Sequence, residues 1–142
     1  MNILFVCKYN RFRSKVAEAF FNKYNKNKEL KAKSAGVIDP FHHFVSKIAA
    51  DVLAEQKVKL PNEQPTLISD QAIKWADKIV IVAYNVEPKI FQGKDVEVWK
   101  IEDAHDEDIS AIKKTIKEIE ERIKEFVRLL DNSSNRKKNE YS

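Results

Sequence analysis

The chain has 142 residues, 43% hydrophobic and 34% charged, enough to bury the core of one domain without disulfides or metal. Its single cysteine excludes an intramolecular disulfide and any cysteine-cluster metal site, and it fits a reducing, cytoplasmic setting. The net charge of +4 sits partly in the Arg136-Lys137-Lys138 tail and gives little reason to expect nucleic acid as a partner. No stretch approaches the roughly 20 apolar residues that span a bilayer, so no membrane association is expected.

Strand-like and helix-like segments alternate, the pattern of a parallel α/β sheet. Residues 2–6 are continuously apolar, as in a strand covered on both faces. From Ser14, Val16, Ala17, Phe20, Phe21 and Tyr24 recur at helical spacing, with Lys and Glu between them. Asn25-Lys26-Asn27-Lys28 closes that helix, and a second strand is expected over Leu30–Ser34, ending at Gly36. Pro40 and Phe41–Phe44 read as a loop, followed by a helix with Ile48, Ala49, Val52 and Leu53 on one face. Pro61 and Pro65 bracket another loop, and a short helix is expected from Ser69 to Trp75. A third strand is expected over 77–83 and a fourth over Asp95–Trp99. The last helix is the clearest, with Ile112, Ile116, Ile119, Ile123, Phe126 and Leu130 stepping by three or four. The expectation is one three-layer α/β domain over 1–131, a four-stranded parallel sheet flanked by helices. A polar, frayed tail is expected over 132–142.

The chemistry concentrates in Cys7-Lys8-Tyr9-Asn10-Arg11-Phe12-Arg13-Ser14, between the first strand and the first helix. In open α/β sheets ligands collect at the carboxyl ends of strands, where helix N-termini present free N–H groups. The helix dipole and nearby arginines favour the thiolate of a cysteine placed there. Five residues between Cys7 and Arg13 let the backbone curl into a cradle of N–H donors around a tetrahedral oxyanion. Arg13 can close the ring with a two-pronged contact, and the Ser14 hydroxyl can bond the sulfur and stabilise it as a leaving group. Most lone cysteines are buried small hydrophobes, but the strand end, the spacing to arginine and the following amphipathic helix point to a nucleophile.

With these residues the chain resembles the low-molecular-weight protein tyrosine phosphatase family, which shares its fold with thioredoxin-coupled arsenate reductases. The resemblance covers roughly residues 1–130. It rests on Val6-Cys7-x-x-Asn10-x-x-Arg13-Ser14, then Ser34-Ala35-Gly36, then Ala76-Asp77-Lys78-Ile79-Val80, and on Asp103 within Trp99-Lys100-Ile101-Glu102-Asp103-Ala104. It implies a cofactor-free hydrolase of phosphorylated protein or small aryl phosphates. In that chemistry Cys7 forms a phosphocysteine, Arg13 clamps the phosphate, and Asp103 serves as general acid and then base. Lys8, Tyr9, Asn10, Arg11, Phe12 and Ser14 become the phosphate- and substrate-binding loop, with Asn10, Ser14 and Ser34 holding its shape.

The chain also departs from that pattern. Tyr9 stands where the family usually has glycine, Phe12 where many members carry a second, protective cysteine, and Ala104 where proline usually follows the acid. Arg11 adds a further cation. Asp106 and Asp108 compete for the acid role, but both suit a helix N-terminus, whereas Asp103 follows the fourth strand and Trp99. Tyr9, Phe41, Phe44 and Tyr84 are candidates to wall the site, Tyr9 foremost because it lies in the loop. His42 and His43 read as loop histidines, and His105 as a solvated residue at a helix start. Arsenate reduction with an external thiol is the alternative reaction, and a non-catalytic phosphate or phosphopeptide binder is the third reading. Phosphotyrosine is the leading expected substrate, which makes the expected enzyme a protein tyrosine phosphatase; phosphoarginine is a variant of that reading, and the oligomeric state stays open.

Overall fold

The computed structural model describes residues 1–41, 43–105 and 107–140, with side chains as far as residue 133. His42 and Asp106 therefore lie outside the described residues. Strand β1 spans Asn2–Cys7, β2 Lys31–Gly36, β3 Lys78–Val82 and β4 Asp95–Trp99. All pairings are parallel, in the order β2-β1-β3-β4. The helices are α1 (Arg13–Tyr24), α2 (Lys47–Glu55), α3 (Asp70–Trp75) and α4 (Ile109–Glu140). This is the expected three-layer fold, with each strand within two residues of its expected bounds.

Alternation along the two central strands builds both layers. Ile3, Phe5, Val80 and Val82 face a core shared with α1, α2 and α4, where Phe20, Phe21, Leu53, Ile119 and Ile123 are fully buried. Leu4, Val6, Ile79 and Ile81 face the opposite layer, against Ala72 and Ile73 of α3 and Phe91. Burial on both sides accounts for the unbroken apolar runs in β1 and β3. Phe5, Trp99 and Phe126 lock the first layer, with Trp99 and Phe126 edge-on at 5.5 Å between centroids. Tyr24 Oη donates to Glu120 Oε2 at 2.5 Å and joins α1 to α4.

Two elements differ from the sequence expectation. A single 3₁₀ turn, Pro88–Phe91, covers the sheet between β3 and β4. Helix α4 runs past Asp131 to Glu140, since no Gly or Pro in 131–140 interrupts it. Among the described residues no helix is long and apolar enough to cross a membrane.

The topology selects one place for a ligand. From β1 the chain crosses through α1 to β2 on one side, then returns past β1 to β3 on the other. The connections leaving the neighbouring strands β1 and β3 thus run to opposite sides, toward β2 and toward β4, opening a crevice at the carboxyl end of β1. Cys7 is the last residue of β1.

Candidate active site

Cys7 is 2% exposed, and its Sγ lies 2.9 Å from the Ser14 Oγ in the first turn of α1. The direction of that bond follows from the groups behind it. Asn10 Nδ2, which can only donate, contacts Ser14 Oγ at 2.7 Å and Ser34 Oγ at 3.0 Å. Ser34 Oγ donates onward to Glu18 Oε1 at 2.5 Å. Ser14 therefore accepts from Asn10, and its own proton points to the sulfur.

Asn10 is the pivot of the loop. Its φ of 57° lies in the left-handed region, which asparagine tolerates better than most residues. Its Oδ1 accepts from the Thr66 backbone N–H at 2.9 Å, so one side chain ties the loop to α1, β2 and the α2–α3 connection. Gly36 makes room for this turn: a Cβ there would stand 2.5 Å from the Tyr9 carbonyl carbon and 2.7 Å from the Asn10 nitrogen. The outer flank is held by Val37 N–H to Cys7 O, Ile38 N–H to Lys8 O and Ser46 N–H to Arg11 O, at 2.9–3.1 Å. Within the described chain the backbone N–H groups of Tyr9, Asn10, Phe12, Arg13 and Ser14 have no acceptor. Such a run of open donors beside a helix start is an anion-binding concavity.

Arg13 is 3% exposed and held from above. Its Nη1 donates to Ile101 O at 2.9 Å and its Nη2 to Asn85 Oδ1 at 3.2 Å, while Asp103 Oδ2 lies 3.8 Å from Nη2. The two hydrogen bonds use two of five guanidinium N–H groups. Cys7, Tyr9, Arg11, Phe12, Arg13 and Asp103 line a depression of about 30 Å³. Cavities of about 700 and 560 Å³ run along the outer edge of β2, but neither holds a thiol or reaches the loop. The small depression brings a thiol, two guanidinium groups and a carboxylate together.

Asp108 accepts from the Ala111 N–H at 3.0 Å, one turn into α4, and so caps that helix. Asp103 is the described carboxylate at the depression. Phe12 lines it too, yet is 7% exposed and packs its side chain in the core. Lys8 places its Nζ 5.2 Å from the Tyr9 ring centroid. Phe41, Phe44 and Tyr84 are exposed, Phe41 alongside Tyr9 in a neighbouring cavity. His43 is exposed in the loop, and His105 is exposed in the turn before α4. Among the described residues no group of three His, Cys, Asp or Glu could hold a metal ion.

Behind the loop, Lys15 is only 2% exposed. Burial pushes its ammonium below the ordinary range, with the Glu18 and Cys7 charges opposing. Burial pushes the Glu18 carboxyl up, against the Ser34 hydrogen bond and the Lys15 and Lys33 charges. Glu18, Asn85, Thr66 and Lys15 escape sequence reasoning. Each looks like an ordinary surface residue until the fold brings it to the loop.

Residues 2–138 match the model of the low molecular weight phosphotyrosine protein phosphatases. The chain belongs to that family. Among solved structures it is similar to an arsenate reductase from Archaeoglobus fulgidus, at 34% identity over 88% of this chain and 98% of that one, with a TM-score of 0.72. It is also similar to a low molecular weight protein tyrosine phosphatase from T. tengcongensis, at 25% identity, 90% and 98% coverage and a TM-score of 0.80. The YwlE arginine phosphatase from Geobacillus stearothermophilus shares the fold, at 21% identity, 95% and 96% coverage and a TM-score of 0.78. Among curated proteins there is no match. The family is one of phosphatases, which bind phosphorylated substrates, and its solved relatives include arsenate reductases.

Proposed function

We propose that the chain is a protein tyrosine phosphatase that works through a phosphocysteine on Cys7. The observation that carries this reading is the Cys7 Sγ at 2.9 Å from Ser14 Oγ, in a depression that Arg13 and Asp103 also line. The thiolate attacks phosphorus in line, forming the S–P bond as the ester P–O bond breaks. Open loop N–H groups and Arg13 take up the charge on the equatorial oxygens. Asp103 gives its proton to the leaving phenolic oxygen. As a carboxylate it then takes a proton from the water that attacks the phosphocysteine. Phosphate leaves, and the Ser14 hydroxyl receives the returning thiolate. This nucleophile needs a reducing compartment, which fits the cytoplasm.

The test is hydrolysis of p-nitrophenyl phosphate by wild type and Cys7→Ser. Wild type is expected to turn over and to show a burst of nitrophenolate, and Cys7→Ser is expected to be inactive. Full activity in Cys7→Ser sinks the mechanism.

The arsenate reductase at 34% identity favours one second reading. Cys7 would displace hydroxide from arsenate to form a thiol adduct. An external thiol would then attack the Cys7 sulfur, releasing arsenite as arsenic takes two electrons and leaving a mixed disulfide. A second external thiol would return Cys7 to its reduced form, since the chain holds no other cysteine. Arsenate-dependent oxidation of added dithiothreitol, with no hydrolysis of the aryl phosphate, selects this reading.

A further inference from the structure

Strand β2 lies at one edge of the sheet, and its outer side is only partly paired. Lys31 N–H donates to Met1 O and Val37 N–H to Cys7 O, so the odd-numbered amides of this stretch face β1. By alternation the backbone groups of Ala32, Ser34 and Gly36 face outward. Those of Gly36 are engaged: its N–H donates to Thr66 O and its O accepts the Ile68 N–H, both at 2.8 Å, the first parallel rung of a further strand. The next rung would take the Thr66 N–H to Ser34 O, but that N–H donates to Asn10 Oδ1 at 2.9 Å. Among the described residues, the outward N–H and C=O groups of Ala32 and Ser34 have no partner. Two cavities of about 700 and 560 Å³ follow this open stretch and share Lys33 and Trp75. The exposed Lys26, Lys28, Lys31 and Lys33 line the larger one, and Lys33 Nζ lies 4.5 Å from the Trp75 ring centroid.

We propose that the β2 edge at Ala32–Ser34 binds an acidic, extended segment of a partner protein by strand addition. The open backbone groups supply the ladder, and acidic residues two apart in the segment fall beside Lys31 and Lys33, which share one face of β2. Lysines on an edge also oppose like strands. A second copy of this chain would bring its own Lys31 and Lys33 to the same place, so the charge that admits an acidic segment rejects self-pairing. Nucleic acid could meet the lysines but would leave the Ala32 and Ser34 amides unused. The two cavities share no lining residue with the Cys7 depression, so the docking does not depend on which reaction Cys7 performs.

The experiment uses fluorescein-labelled heptapeptides of Thr alternating with Glu or with Lys, and reads Kd on the full chain by anisotropy. The Glu peptide is expected to bind about tenfold tighter than the Lys peptide, and the double variant Lys31→Glu with Lys33→Glu to lose that preference. Lys113→Glu, the same charge change on the exposed face of α4, leaves it intact. On wild type, hydrogen exchange of the Ala32 and Ser34 amides, followed by NMR, is expected to slow about tenfold at saturating Glu peptide. Equal Kd values for the two peptides, no binding of the Glu peptide, or a preference unchanged in the double variant overturns the proposal. So does a bound Glu peptide that leaves both amides exchanging as before, which reduces the surface to an attraction of charges. Oligothymidylate binding tighter than the Glu peptide overturns it in favour of nucleic acid. Displacement of the peptide by inorganic phosphate, beyond that caused by NaCl of equal ionic strength, places the peptide at Cys7 and overturns it too.

Discussion

Arg13 and Asp103 meet at 3.8 Å across the mouth of the site, the first 3% exposed and the second 55%. One is fixed by Ile101 and Asn85, while the other reaches solvent. Asp103→Ala is expected to lower kcat on p-nitrophenyl phosphate by about 10²–10⁴, the usual span of acid–base catalysis. Asp108→Ala removes a helix cap instead, costing about 1 kcal/mol in urea unfolding with kcat kept. The reverse pattern would move the acid to the start of α4.

Ser14→Ala removes the side-chain hydrogen bond between Ser14 and the Cys7 sulfur. A hydrogen bond to a charged group contributes about 1.5–3 kcal/mol, so the rate of Cys7 alkylation by iodoacetamide at pH 6 should fall by roughly ten- to a hundredfold. Hydrolysis should fall with it. An unchanged alkylation rate would show that the Ser14 proton points elsewhere.

Gly36→Ala tests whether the strand next door shapes the loop. The new methyl meets backbone on Tyr9 and Asn10, which cannot swing aside as a side chain would. The expected cost is about 1–3 kcal/mol of stability, as for overpacking, with phosphatase activity lost although no reacting group changes. Wild-type activity in this variant would contradict a rigid loop.

Lys15 gives a pH signature. Because burial lowers its folded-state pKa below the ordinary 10.5, the unfolded chain holds that proton to higher pH. The unfolded state therefore binds more protons just below 10.5, and stability rises with pH in that window. Lys15→Met is expected to be more stable than wild type at pH 7, with the difference shrinking as pH climbs toward 10. A difference in urea-unfolding free energy that stays constant from pH 7 to 10 would refute a buried ammonium.

The strands, the helices and the loop between β1 and α1 were legible because each has a local signature. The periods in β1, β3 and α4 come from burial on one or both faces, and Cys7, Arg13 and Ser14 announce themselves by spacing. The 3₁₀ turn at Pro88–Phe91 is too short to have a period. Asn85 and Thr66 serve the site through one contact each across the fold, and a single Asn or Thr in a loop carries no pattern. Lys15 reads as a solvated helix residue between Ser14 and Val16, yet the first turn of α1 is buried throughout. Its burial is a property of the packing around it.

The tight approach of Gly36 to Tyr9 and Asn10 divides labour within the loop. Its backbone course is imposed by a neighbouring strand and by the Asn10 side chain, so the outward side chain at Tyr9 is released from shaping it. Such a loop can exchange the groups that meet a substrate's body without disturbing the sulfur beneath. Changes of substrate preference are thereby available through one or two substitutions on an unaltered catalytic frame, which makes this scaffold readily retuned.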